Sequence, residues 1–163
     1  MRVVIALLLV LFAAVFQATF NPQVRVLGGE PELVFLLVLC WVIRAPLEEG
    51  IALAFVGGIA LDLLSALPVG LTSAALMLVI FALDTVRREL SVIGALTIPL
   101  FCVGGVLLIK LVNWIALVLV GLPPPIVGTI TYIILPSMIY NAVLLAPAFF
   151  VVRVIQRAFG GDD

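Results

Sequence analysis

The chain has no histidine among its 163 residues, and its charged residues make up only 10% of the total. Without histidine, the commonest metal ligand and the commonest general base are both missing. So little charge excludes an ordinary soluble domain, in which about 25% of residues are charged. The two cysteines, Cys40 and Cys102, lie far apart, each inside an apolar run. Neither a CxxC pair nor a disulfide framework is present, and both read as small buried hydrophobes. There is no HExxH helix, no phosphate-binding glycine loop and no serine beside a histidine. No active site assembles, so neither enzyme activity nor a cofactor is expected. Nor is there a basic surface for nucleic acid.

What the chain does have is apolar length. Hydrophobic residues fill 66% of its positions, and polar surface cannot cover such a composition in water. The apolar runs must face lipid or one another. At roughly 20 residues per crossing, the length suits five or six membrane helices and no folded domain outside them. Met1-Arg2 followed by the apolar run to Phe16 has the outline of a signal peptide. The run continues to Phe20 and no soluble domain follows, so it reads as the first span.

The whole of 1–163 is expected to form a single all-α transmembrane domain, with spans near 3–20, 32–43, 47–67, 71–86, 95–120 and 126–152. Breaks fall at Asn21-Pro22, Arg44-Ala45-Pro46, Pro68-Val69-Gly70, Arg87-Arg88-Glu89 and Gly121-Leu122-Pro123-Pro124-Pro125. The second span is short, which calls for local bilayer thinning or for ends buried in the bundle. Glu48 and Glu49 sit in the first turn of the third, where the helix dipole favours negative charge. The stretch from Leu90 to Val120 would be roughly 46 Å long if fully helical, more than a bilayer core of about 30 Å. Pro99 is expected to kink it, leaving Leu90 to Ile98 along the interface. Pro136 and Pro147 are expected to interrupt the last span, and a short tail carries Arg153, Arg157, Asp162 and Asp163.

Arginine placement orients this arrangement. With the N-terminus inside and six crossings, Arg2, Arg44, Arg87, Arg88, Arg153 and Arg157 all fall on the cytoplasmic side, and only Arg25 falls outside. That bias is the positive-inside pattern, and it places both termini in the cytoplasm.

The residues that do not belong in lipid are the informative ones. Gly50, Ala54, Gly58 and Asp62 recur at every fourth position, forming one helix ridge that Gly57 widens. Small ridges let membrane helices approach closely. The ridge either packs within the bundle or forms a groove for a partner's transmembrane helix, and the two can coexist. An ionised Asp62 inside a span costs roughly 2.5–3.5 kcal/mol on insertion scales. Lys110 falls at a similar outer depth, so either it pairs with Asp62 or it snorkels to the headgroups beside Trp114. Asp84, one turn before Arg87 and Arg88, suits a local ion pair. Asn141 is placed to bond carbonyls freed by Pro136 and Pro147, with Gln17 and Asn113 as similar polar glue. Trp41 and Trp114 suit interfacial or packing roles. The cytoplasmic contacts expected are Arg44, Glu48, Glu49, Arg87 and Arg88.

Several of these segments together resemble the bacterial MreD family of rod shape-determining proteins. They are Pro31-Glu32-Leu33, Arg44-Ala45-Pro46-Leu47-Glu48-Glu49-Gly50 and the run from Gly57-Gly58 through Asp62-Leu63-Leu64-Ser65 to Pro68-Val69-Gly70. Asn141, Pro147 and the closing arginines resemble the family's last span. Glu32 stands where the family has Asp, and Ala66 where Gly is usual. The resemblance implies a non-enzymatic component of the cell-elongation machinery in the bacterial cytoplasmic membrane. It implies binding to the single-span protein MreC, within a complex that includes a RodA-type glycosyltransferase and a class B penicillin-binding protein, with the MreB filament engaged indirectly. It also implies a fold like the substrate-binding subunits of energy-coupling-factor transporters. From that likeness comes the alternative, a membrane subunit holding a vitamin-type solute among Asp62, Lys110, Asn113 and Asn141.

Overall fold

The computed structural model describes residues 2–21, 23, 28–65, 68–89, 97–121 and 125–159. Pro22, Arg25, Ala66, Leu67, the 90–96 part of the expected interfacial stretch, Leu122 to Pro124, and Asp162 with Asp163 lie outside those residues. Regular structure among the described residues is helical: α1 (Arg2–Phe20), α2 (Leu33–Val42), α3 (Leu47–Leu63), α4 (Leu71–Glu89), α5 (Thr97–Leu119), α6 (Ile126–Thr129) and α7 (Leu135–Phe159). A π-helical turn, Ile130–Ile134, joins α6 to α7, so the last apolar run is one long helix.

Three helices are long and apolar enough to cross a membrane: Arg2–Phe20, Thr97–Leu119 and the continuous Ile126–Ala158. The others fall short for identifiable reasons. With 10 and 17 residues, α2 and α3 are brief, and the 19 residues of α4 include Asp84, Arg87, Arg88 and Glu89.

The shortness of α2 follows from its place. It packs against α1, α3, α4, α5 and α7, and Val34, Leu36, Val38, Leu39 and Val42 are sealed from the surface. An enclosed helix does not have to match the bilayer thickness. Around it the neighbours run α1, α3, α4, α5, α7 in contact order, forming a C in cross-section. Between the two arms of the C, α1 and α7, lies an apolar groove of about 320 Å³, floored by Leu33, Leu36 and Leu37 of α2.

The prolines act differently from expectation. Pro99 sits in the first turn of α5 and does not kink it, in line with proline's preference for helix starts. Pro136 does not interrupt the last helix. Having no N–H, it cannot bond the carbonyl of Tyr132 four residues earlier, and the π turn over Ile130–Ile134 absorbs the mismatch. Pro147 lies inside α7. That helix runs to Phe159, so Arg153 and Arg157 stand on it and not on a tail.

Candidate functional site

A buried helix leaves its first N–H groups and last C=O groups without partners. The polar residues of this chain converge on that problem. At the start of α2, the amide N–H of Glu32 donates to Asn141 Oδ1 at 2.8 Å, and that of Val34 to Gln17 Oε1 at 3.0 Å. Asn141, itself fully buried, donates from Nδ2 to the carbonyls of Glu30 (3.1 Å) and Ser137 (2.8 Å). Ser137 Oγ accepts the N–H of Glu30 at 3.0 Å. Asn141 therefore staples the strap before α2 to α7. Its partners are not the carbonyls freed by the prolines, which corrects the expectation. The strap lies close on α7: a Cβ on Gly28, whose φ is +87°, would fall 2.1 Å from the Tyr132 carbonyl oxygen. Only glycine fits there.

The same end of α2 carries the buried charges. Lys110 Nζ lies 2.6 Å from Glu32 Oε1 and 3.3 Å from Glu30 Oε2, with the side chains of Lys110 and Glu32 each only 7% exposed. Gln17 Nε2 donates to Glu32 Oε2 at 2.8 Å. The expected Asp62–Lys110 pair is therefore not formed, and Lys110 does not snorkel. Glu30 and Glu32, which precede α2 in sequence, reach Lys110 because the strap folds over the middle of α5. Asp62, also buried, instead accepts the N–H groups of Gly70 (2.8 Å) and Thr72 (3.1 Å) at the start of α4. Asp62 thus ties the end of α3 to the start of α4, one carboxylate against free amides.

Above these groups lies a polar cavity of about 260 Å³, lined by Gln17, Asn21, Glu30, Glu32, Thr72, Lys110 and Asn113 among others. Asn113, expected to act as glue, has a buried Oδ1 with no hydrogen-bond donor among the described residues. Lys110 is matched by two carboxylates, and no cluster of three His, Cys, Asp or Glu among the described residues suits a metal ion. The arrangement can hold charge and order a fold.

At the far end of α2 the free groups are carbonyls, and cationic or amide donors meet them. Arg87 Nη1 donates to the carbonyls of Val42 (2.9 Å) and Ala45 (3.5 Å), and Gln156 Nε2 to that of Trp41 (3.2 Å). Trp41 is buried and donates from Nε1 to Glu49 Oε2 at 2.9 Å, while Glu49 Oε1 pairs with Arg2. Asp84 pairs with Arg88 at 2.7 Å, whereas Arg87 turns to α2. The Arg44 guanidinium lies 5.5 Å from the Phe149 ring centre. Glu48 is exposed. These contacts gather Arg2, Arg44, Arg87 and Arg88 at one end of the bundle, with Arg153 and Arg157 on the adjoining last turns of α7.

The small ridge on α3 is occupied from within. A Cβ on Gly58 would meet the Ser73 backbone at 2.3 Å, one on Gly57 would meet Val10, and one on Gly50 would meet Val42. Ala54 is fully buried. Gly50, Ala54, Gly57, Gly58 and Asp62 therefore form packing against α1, α2 and α4 and not an open groove. Both cysteines are free and buried.

The family model for the rod shape-determining protein MreD matches residues 1–159. The chain belongs to the MreD family. No curated protein and no solved structure matches it. Membership carries a role in rod shape determination, and the three long apolar helices mark a membrane protein. The segments that carried the MreD resemblance have a common place in the fold. Pro31-Glu32-Leu33 opens α2, Arg44 to Gly50 turns from α2 into α3, Asp62 at the end of α3 bonds Gly70 before α4, and Asn141 ties α7 to the first of these. What looks like a signature is largely the set of residues that close helix ends away from water. Sequence reasoning missed Glu30 and Glu32 as the partners of Lys110. The usable signal was that a buried lysine needs a counter-charge, and these two acids stand just before α2.

Proposed function

We propose that this chain is a non-enzymatic, six-span scaffold of the bacterial cell-elongation machinery, seated in the cytoplasmic membrane with both termini inside. It binds an MreC-like single-span protein through its helices, in a larger complex with a RodA-type glycosyltransferase and a class B penicillin-binding protein. The MreB filament is engaged indirectly, and the complex supports peptidoglycan synthesis and rod shape. The helical arrangement of the substrate-binding subunits of energy-coupling-factor transporters is part of the same reading.

The observation that carries it is the open side of the C. The polar groups are turned inward to hold α2, and the ridge on α3 is filled, so what remains outside is apolar helix face. Only between α1 and α7 does the ring around α2 lack a member, and there Leu9, Phe12, Ala13, Phe16, Leu144, Pro147, Ala148 and Val151 line the groove. One more apolar helix would complete the ring by van der Waals packing, the interaction available to helices in lipid. At the arginine-bearing end, Glu48 and Arg88 are exposed for contact with the partner's cytoplasmic residues. The solute-binding alternative would use the polar cavity, but Glu30 and Glu32 already match its lysine.

Co-expression with an MreC-like partner and purification through a tag on the partner tests the proposal. The wild-type chain should co-purify. Val151→Trp, which fills the groove, should lose at least about nine-tenths of the association, whereas Leu107→Trp on the exposed face of α5 should retain it. A stable wild-type chain that fails to co-purify, or equal loss from both substitutions, would count against the reading.

A further inference from the structure

The arginines at the Val42 end of α2 do not all have an acidic partner among the described residues. Arg2 is neutralised by Glu49, Arg88 by Asp84, and Arg87 is held by the carbonyls that end α2. Arg44, Arg153 and Arg157 have no acidic partner among the described residues. Arg44 is fixed over the Phe149 ring, one helical turn before Arg153 on α7. The Nε of Arg153 is buried and makes no hydrogen bond. A guanidinium nitrogen withdrawn from water without an acceptor is costly, and no acid among the described residues meets it, so this place suits an anionic ligand.

The surface beside it says which anion. Ile139, Val143, Ala146, Phe150, Arg153 and Arg157 are spaced 4, 3, 4, 3 and 4 apart, so they form a single stripe along α7. Its first four residues are exposed and apolar, and the last two are arginines with no acidic partner among the described residues. An apolar track ending in cations complements a molecule with a long hydrocarbon chain and an anionic head. Guanidinium forks match phosphate oxygens bidentately, and basic sites at membrane-helix ends on the cytoplasmic side favour anionic lipid heads.

We propose that Arg44, Arg153 and Arg157 form a binding site for the phosphate of an anionic phospholipid, whose acyl chain lies along the Ile139–Val143–Ala146–Phe150 stripe. The site is separate from the α1–α7 groove and from the polar cavity. It does not depend on the proposed partner.

Native mass spectrometry of the full-length chain in detergent tests it, with added phosphatidylglycerol, phosphatidylcholine or inorganic phosphate. At equal lipid concentration, the wild-type chain should retain phosphatidylglycerol about tenfold better than phosphatidylcholine. The Arg44→Gln/Arg153→Gln double variant should lose most of that preference, roughly fivefold or more. Arg44→Lys/Arg153→Lys should keep part of it, and Arg88→Gln, which removes a charge at the same end but outside the site, should leave it unchanged. Thermal melting of each variant in detergent separates loss of the site from loss of the fold, and a melting point equal to wild type in the glutamine variant keeps the comparison valid. If that variant unfolds, the lysine variant and Arg88→Gln decide. Equal retention of the two lipids overturns the proposal. So does an equal loss in Arg88→Gln, which would indicate general charge attraction, or complete displacement by millimolar inorganic phosphate, which would make the ligand a free anion. Because the measurement is made in detergent, it stands apart from the orientation proposed above.

Discussion

The two ends of α2 solve the same problem with opposite chemistry. At the Leu33 end, free N–H groups meet Asn141 and Gln17, and the acids Glu30 and Glu32 gather with Lys110, with Glu32 and Lys110 buried. At the Val42 end, free carbonyls meet Arg87 and Gln156, at a rim where neighbouring arginines reach solvent. Negative charge at a helix start and positive charge at its end both complement the dipole. The difference is in burial. One end is a sealed network in which every member depends on the others. The other is a set of separate contacts, most of which water could replace.

That contrast predicts unequal sensitivity. The largest effect is expected from Lys110→Met, which strands two carboxylates. It should lower unfolding stability in detergent by about 3–5 kcal/mol, and adding Glu32→Gln to it should recover part of the loss. A loss under about 1 kcal/mol would mean that the end is wet and the comparison false. Asn141→Leu should come next, costing about 2–4 kcal/mol because an N–H and a carbonyl on the strap lose their partners together. Denaturant titration followed by circular dichroism reads both. At the rim, Arg87→Met should cost only about 1–2 kcal/mol, since water can reach part of that site. The smallest effect belongs to Arg88→Gln. Arg88 has a side chain 72% exposed, so its removal should change stability by less than about 0.5 kcal/mol, within the scatter of thermal melts. If the two arginine changes proved as damaging as the Lys110 change, the distinction between sealed and open ends would fail.

Much of the helix layout was legible in the sequence. The apolar runs and their Pro, Gly and Arg breaks coincide with the helices to within a few residues for α1 and α2, because both follow from the same need to bury or expose apolar side chains. The end of α7 was misread because Arg153 and Arg157 look like a tail to a reader who expects charge to stop a membrane helix. Pairings were harder. Asp62 and Lys110 were matched by depth alone, but what pairs them depends on where the strap from Gly28 to Glu32 folds. That path is set by the glycine contacts on Tyr132 and Pro136, a tertiary fact with no periodic signal. The small ridge on α3 was read from its four-residue spacing. Its spacing could not say whether the approaching backbone would be the chain's own, as Ser73 is for Gly58, or another's.

The enclosure of α2 also has a consequence in time. Synthesis delivers Gln17 before this helix, Arg87 well after it, and Asn141 and Gln156 only with the last one. During translation the Glu32 N–H and the Trp41 carbonyl lack these side-chain partners until α7 is made. A chain cut short before α7 therefore lacks one of these side-chain contacts at each end of α2, and a buried polar group without a partner is costly. The set of contacts around α2 is thus completed only when the last helix has been made.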